Sequence, residues 1–184
     1  FTAYLHSTEA TYHLIAGDRL DDMAALIARG QVVATSLGNQ WATETLEALR
    51  LAVEGLCLHD TPSAMRPSDE VFLTACATHD ADSALCLYHT YRAQRLVFEG
   101  DFSAALVHAQ TAQPLTRKIL FVMVTVDATF YESLAITGLL GAKRLDHDQA
   151  TALTRRLEAN VEKLAMWRDA CEANAGHKHL LVVA

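Results

Sequence analysis

The chain has 184 residues, of which about half are apolar and only 8 are glycine and 3 proline, a composition that favours an all-helical protein. Its net charge of −7 comes from scattered acidic residues, and without a basic run we expect no nucleic-acid partner. No apolar stretch reaches about 18 residues without a charge and no secretory signal is evident, so we expect no membrane span and a cytoplasmic location.

The first predicted hairpin covers residues 2–37. Leu5 and Tyr12 belong to the apolar face predicted for its first helix, which ends at a left-handed glycine cap at Gly17. The second helix runs from about residue 20 to residue 37, with Leu37 in its buried stripe.

The second predicted hairpin covers residues 41–78. A long helix is followed by the clearest loop of the chain, which contains Pro62 and Pro67. Ser68 is placed to be the N-cap of a short helix that ends near Thr78.

The third predicted hairpin, residues 81–118, is the most informative stretch of the chain. A tight Gly100-Asp101 turn joins its two helices, and Pro114 predicts a kink or an early end of the second helix. Such a unit cannot bury its apolar face alone, so it stacks on its neighbours and builds a surface for contacts. The pattern therefore favours a regulatory or interaction domain over an enzyme.

The last predicted hairpin covers residues 121–170, and a further helix begins at residue 177 after a break at 171–176. The β-branched run 122–126 resembles a strand, but the helical period continues beyond it, so we predict helix there. Together the hairpins form one helical-repeat domain over 1–184. Because the sequence begins without Met and ends inside an apolar run, we expect a fragment of a longer polypeptide.

Aromatic residues cluster around the third and fourth hairpins. They could line a groove for a peptide or small ligand, but at helical spacing we favour a role in the core. Trp41 and Trp167 are likewise predicted to pack rather than to form a site. The aromatic set consists of Tyr88, Tyr91, Phe98, Phe102, Phe130 and Tyr131.

The four cysteines form no CxxC pair and lie in apolar helical contexts, so we predict buried, reduced thiols without a redox or metal role. They are Cys57, Cys76, Cys86 and Cys171.

His177 and His179 near Cys171 do not match the spacing of a structural zinc site, so we predict no metal. His177 and Lys178 are instead expected to cap and orient the last helix.

Two His-Asp dipeptides, at positions 59–60 and 79–80, could suggest acid–base chemistry. Adjacent side chains rarely face each other, and both pairs lie at predicted helix ends, where aspartate caps the backbone.

His6 and His13 share a helix face and are predicted to be hydrogen-bonded, partly buried residues. No phosphate-binding loop or kinase catalytic loop is present, so we predict no catalytic residue and no cofactor.

Small residues and the turn of the third hairpin match the tetratricopeptide pattern. The matching residues are Ala93, Gly100, Asp101, Phe102, Ala105 and Ala112. The resemblance implies a right-handed superhelix of stacked antiparallel hairpins.

About the last hundred residues resemble, more narrowly, the helical region of large multidomain bacterial signalling kinases. In that family a serine/threonine kinase-like domain and an AAA-type ATPase precede tetratricopeptide-like repeats, and a GAF domain and a histidine kinase follow them. The chain departs from the family pattern at Glu172, Ala175 and Gly176. The residues that carry the resemblance are Phe130, Tyr131, Leu134, Asn160, Trp167, Cys171, Asn174, His177, Lys178, Leu181 and Val182.

The resemblance implies a non-catalytic scaffold that relays between nucleotide-binding and output domains, with those flanking domains or a protein or peptide as partner. Two alternatives stay open. One is a ligand- or peptide-binding sensor region of a transcriptional activator, and the other is a helical enzyme that uses His59 or His79 near the proline loop. Oligomeric state and ligand are left open by the sequence.

Overall fold

The computed structural model describes residues 2–57, 67–78, 80–119, 122–142 and 145–184, and within these ranges the chain forms α-helices and one 3₁₀ turn but no strand. The all-helical prediction is confirmed. The helices are α1 (Thr2–Ala16), α2 (Leu20–Ser36), α3 (Gln40–Cys57), α4 (Pro67–Cys76), α5 (Asp82–Glu99), α6 (Phe102–Leu115), α7 (Val122–Gly141), α8 (His147–Ala170) and α9 (Glu172–Val183).

The starts of two helices, α4 and α9, differ from the prediction by two residues or more. α4 begins at Pro67 and not after a Ser68 cap, because proline fits the first turn of a helix, where its missing N–H is not needed. The early end predicted at Pro114 is found, since α6 ends at Leu115 and continues as the 3₁₀ turn Thr116–Lys118.

The break predicted at 171–176 is wrong, since α9 begins at Glu172 and Cys171 alone interrupts the helices with an extended backbone (φ −157°, ψ 91°). Gly176 is a buried position within α9.

The helices stack in two interleaved sets. α1, α3, α5, α7 and α9 each contact the next member of that series. α2, α6 and α8 each pack between two consecutive members, whereas α4 touches α3 and α5 only lightly. The packing therefore runs mainly between near neighbours along the chain, and α3 lies directly against α5.

The turn between α5 and α6 is built as its sequence predicts. Gly100 adopts a left-handed backbone (φ 79°), and the N–H of Asp101 donates to the carbonyl of Leu96 at 2.9 Å. The Asp101 side chain caps α6 by accepting a hydrogen bond from the N–H of Ala104 at 3.1 Å. The small residues at the crossing are fully buried, and they are Ala93, Ala105 and Ala112.

The apolar faces predicted for the first hairpin are partly wrong. Leu5 and Tyr12 are about half exposed, and Leu37 is 60% exposed just beyond the end of α2. α1 instead buries a face of small residues, in which the hydroxyls of Ser7 and Thr11 donate to carbonyls one turn earlier. The face consists of Ala3, Ser7, Ala10 and Thr11. Small side chains allow close helix contact, which residue hydrophobicity alone does not indicate.

α7 is the central helix of the C-terminal half. Residues 126–133 are all buried, and α5, α6, α8 and α9 all pack against α7. The hydroxyls of Thr129 and Ser133 donate to carbonyls four residues earlier, at 3.0 and 2.7 Å, so they are satisfied within the helix. The helix predicted over the β-branched run is confirmed.

In the described part of the chain, none of the helices has the length and apolar character needed to cross a bilayer.

Gly138 allows the ring of Phe102 to lie against the backbone of α7. A Cβ atom at this position would lie 2.4 Å from the ring, so we expect Gly138→Ala to destabilise the fold by about 2 kcal/mol through overpacking. Gly141→Ala is the matched control, because nothing lies within 4 Å of its Cβ position. Urea denaturation of both variants checks this, and equal stabilities would contradict the predicted contact.

Candidate functional site

The six aromatic candidates do not share one environment. Tyr88, Tyr91, Phe130 and Tyr131 are buried. Phe98, in contrast, is 66% exposed and only meets the edge of Tyr131, with ring centroids 6.3 Å apart. Phe102 is half-buried against α7. The structure therefore places four of the six in the core and leaves Phe98 on the surface.

A buried ion pair joins α7 to α9. The Nζ atom of Lys178 donates to the Oδ1 atom of Asp127, and both side chains are more than nine-tenths buried. The hydroxyl of Tyr91 on α5 lies beside this carboxylate, outside standard hydrogen-bond geometry. Burial raises the pKa of Asp127, and the positive charge of Lys178 opposes that rise. α5, α7 and α9 thus meet at the Asp127–Lys178 ion pair.

Lys178 was predicted to cap the last helix, and this is wrong. It lies in the middle of α9 and points into the interior, because the Asp127 carboxylate offers its ammonium group a buried partner. His177 and Asn174 are exposed on α9. His179 is buried, with its Nδ1 atom 3.2 Å from the Nη1 atom of Arg168.

A second buried carboxylate, Glu132, joins α7 to α8. Its side chain is 1% exposed and accepts hydrogen bonds from Arg156 Nε at 2.6 Å and Asn160 Nδ2 at 2.9 Å. Both oxygens are therefore matched by donors from α8. Such pairing is required for a charge that is removed from water.

An open groove of about 650 Å³ lies between α6 and α8, with α7 as its floor. Gln113 and Arg117 belong to the wall formed by the end of α6 and the 3₁₀ turn, and Lys163 and Trp167 belong to the α8 wall. The volume falls in the range of small-ligand sites. Trp167 was predicted only to pack, and it both packs against the core and lines the groove.

Two histidines on facing helices form a neutral pair. The Nδ1 atoms of His89 on α5 and His108 on α6 are 2.9 Å apart. Burial lowers the pKa of His89 to about 4, and the charge of His108 contributes. Burial also lowers the pKa of His108 to about 4; Arg92 adds to this effect and Asp69 opposes it. In one tautomeric arrangement one ring donates and the other accepts.

The burial predicted for the four cysteines is found for two of them. Cys76 and Cys86 are buried, and burial raises their pKa values to about 11 and about 12, so both are protonated thiols near neutral pH. Cys57 and Cys171 are exposed because they lie at helix ends.

The remaining histidine candidates do not assemble into a site. In the described ranges, no group of three or more histidine, cysteine, aspartate or glutamate side chains could hold a metal ion. His6 lies 3.7 Å from Glu9, and the exposed His13 is paired with Asp18. His59, His79 and Pro62 lie outside the described residues, whereas Pro67, the second proline of the predicted loop, begins α4.

Comparison with known protein families, with curated proteins and with solved structures gives no match for this chain.

The sequence analysis missed the residues that matter most in this region. Asp127 and Glu132 are the only charged residues between Lys118 and Lys143, in a stretch that is otherwise apolar or hydroxyl-bearing. Isolated acids in such a helix indicate buried, paired carboxylates. That signal was available in the sequence, although their partners were not.

Removal of one member of the Asp127–Lys178 pair leaves a buried charge without its partner. We expect Lys178→Met to destabilise the fold by about 3 kcal/mol. The double variant D127L/K178M should be less destabilised than the sum of the single changes, because no charge is then left buried. Chemical denaturation of the full double-mutant cycle measures this, and strictly additive effects would mean that the pair is not coupled.

The His89–His108 pair should make stability depend on pH. The folded pKa values lie below the unfolded value of about 6.5, so this contribution is complete above that pH and is lost as the pH falls toward about 4. Allowing for partial exposure, we expect a loss of about 2 kcal/mol between pH 7.5 and pH 5.

The measurement is the free energy of unfolding at several pH values. The variant H89Q/H108Q should lose most of the slope, whereas His147→Gln, at an exposed position, should keep it. A slope unaffected by the double change would rule out the pair as its source.

Proposed function

We propose that this chain is a non-catalytic, cytoplasmic scaffold of the tetratricopeptide-like type within a bacterial multidomain signalling kinase, and that its hairpins form a right-handed superhelix. The observation that carries the proposal is the interleaved stacking, in which each odd-numbered helix contacts the next and α2, α6 and α8 pack between them. Stacks of this kind provide extended surfaces for other domains or peptides. The turn at Gly100 and the resemblance of the C-terminal helices support the same reading.

The scaffold would relay movement by rigid-body coupling. α8 and α9 are each joined to α7 by a buried carboxylate, Glu132 and Asp127 respectively. These short-range contacts break when the helices separate, so α7, α8 and α9 would shift together as one unit. A displacement of α7 would thereby move α8 and α9 and reach a domain that contacts them.

The test is the complete coding sequence followed by chemical crosslinking of the full-length protein. We expect a kinase-like and ATPase region before the helical domain and GAF or histidine kinase sequence after it. Crosslinks from the exposed Lys118 and Lys163 to those domains should differ between ATP-bound and ADP-bound protein. A coding sequence without such domains, or crosslinks indifferent to nucleotide, would contradict the relay.

The groove between α6 and α8 favours a second candidate function, a ligand- or peptide-binding sensor region of a transcriptional activator. An open groove of this size lined by cations, amides and an indole has the composition of a binding site. A ligand that binds only the folded state raises the melting temperature. A thermal-shift screen tests this candidate. If no compound or peptide raises the melting temperature, the sensor function is contradicted and only the scaffold proposal remains.

A further inference from the structure

The groove between α6 and α8 concentrates positive charge in an acidic protein. Arg117, Arg156 and Lys163 line it, and Glu132 is the one acid among the lining residues in the described part of the chain. The net charge of the whole chain is −7, so the groove differs in sign from the molecule around it. Complementarity therefore favours an anionic ligand.

Two of the three cations are available to a ligand. Arg156 is held by the buried Glu132 carboxylate. Arg117 and Lys163 are exposed, and within the described ranges neither takes part in an ion pair. They project from opposite walls of the groove, one from the 3₁₀ turn and one from α8. An anionic ligand between the walls could contact both.

The floor of the groove is built from buried polar groups. Thr129 and Glu132 of the α7 floor are each 1% exposed and yet line the groove, and Asn160 of the α8 wall is 2% exposed. The network of Glu132 with Arg156 and Asn160 fixes these groups in place. A floor held by hydrogen bonds loses little conformational freedom on binding, which favours affinity.

The α8 wall of the groove is long and ordered. Arg156, Asn160, Lys163 and Trp167 follow one face of α8 over about three helical turns, or about 16 Å. An extended peptide of about five residues has the same length. The amide group of Gln113 is suited to main-chain hydrogen bonds, and Trp167 offers a flat apolar surface at one end.

We infer that this groove binds an acidic, extended segment of a partner protein between Arg117 and Lys163. The inference deepens the binding function proposed above for the same groove and rests on it.

The binding experiment uses the fluorescence of Trp167. The chain has two tryptophans, so Trp41→Phe leaves Trp167 as the only reporter. The probes are short peptides of alternating glutamate and alanine, their glutamine and lysine counterparts, and citrate and inorganic phosphate. We expect the glutamate peptide to bind about tenfold more tightly than the glutamine peptide, and to weaken with added salt.

Charge reversal at the groove provides the matched test. Lys163→Glu should weaken binding of the glutamate peptide by about tenfold, and R117E/K163E should abolish it. Arg155→Glu is the control, because it makes the same charge change on an exposed position of α8 that does not line the groove. Circular dichroism and melting temperatures verify that all variants are folded.

The outcomes distinguish binding at the groove from specificity for an acidic protein segment. Equal binding of glutamate, glutamine and lysine peptides would keep the binding function and overturn the acidic specificity. Binding of citrate or phosphate without the glutamate peptide would replace the protein segment by a small anion. If no probe changes Trp167 fluorescence or the melting temperature, both the inference and the binding function of the groove fail. Equal losses in Arg155→Glu and Lys163→Glu would assign the effect to net charge alone and overturn the site.

Discussion

The C-terminal half of the molecule depends on two carboxylates buried in one helix. Asp127 and Glu132 lie in α7, which is enclosed by α5, α6, α8 and α9, and water cannot solvate either group. Asp127 is neutralised by Lys178 of α9, and Glu132 is neutralised by Arg156 of α8 and accepts a hydrogen bond from Asn160 of the same helix. Apolar packing alone would permit several rotations of these helices, whereas the polar contacts require one.

The same contacts shape the groove. Arg156 and Asn160 turn toward Glu132, so the floor of the groove is set by the charge balance of the core. Lys163 and Trp167, one and two turns farther along α8, are placed by the same rotation of the helix. The arrangement of the α8 side chains along the groove therefore follows from the burial of Glu132.

The sequence was sufficient to predict the helices, because periodicity, the Gly100-Asp101 turn and Pro114 act locally. It was insufficient where a residue's role depends on a distant partner. Lys178 looks like a surface residue until α9 is placed beside Asp127, 51 positions earlier in the chain. Trp167 was predicted only to pack, because the groove that it lines exists only where α6 and α8 are separated in the folded structure, and local sequence does not show that separation. α1 was misjudged because its interface uses Ala and hydroxyl residues in place of large apolar ones.

Because its buried charges are paired, the C-terminal half should tolerate fewer single substitutions in its core than the N-terminal half during evolution. The N-terminal core is built largely from interchangeable apolar residues such as Leu46, Leu49 and Ile27, where one aliphatic side chain can replace another. Position 127, in contrast, cannot change alone without harming the residue opposite at 178. Among diverged relatives of this chain, the large aliphatic residues of the N-terminal core should therefore replace one another, while positions 127 and 178 should change together.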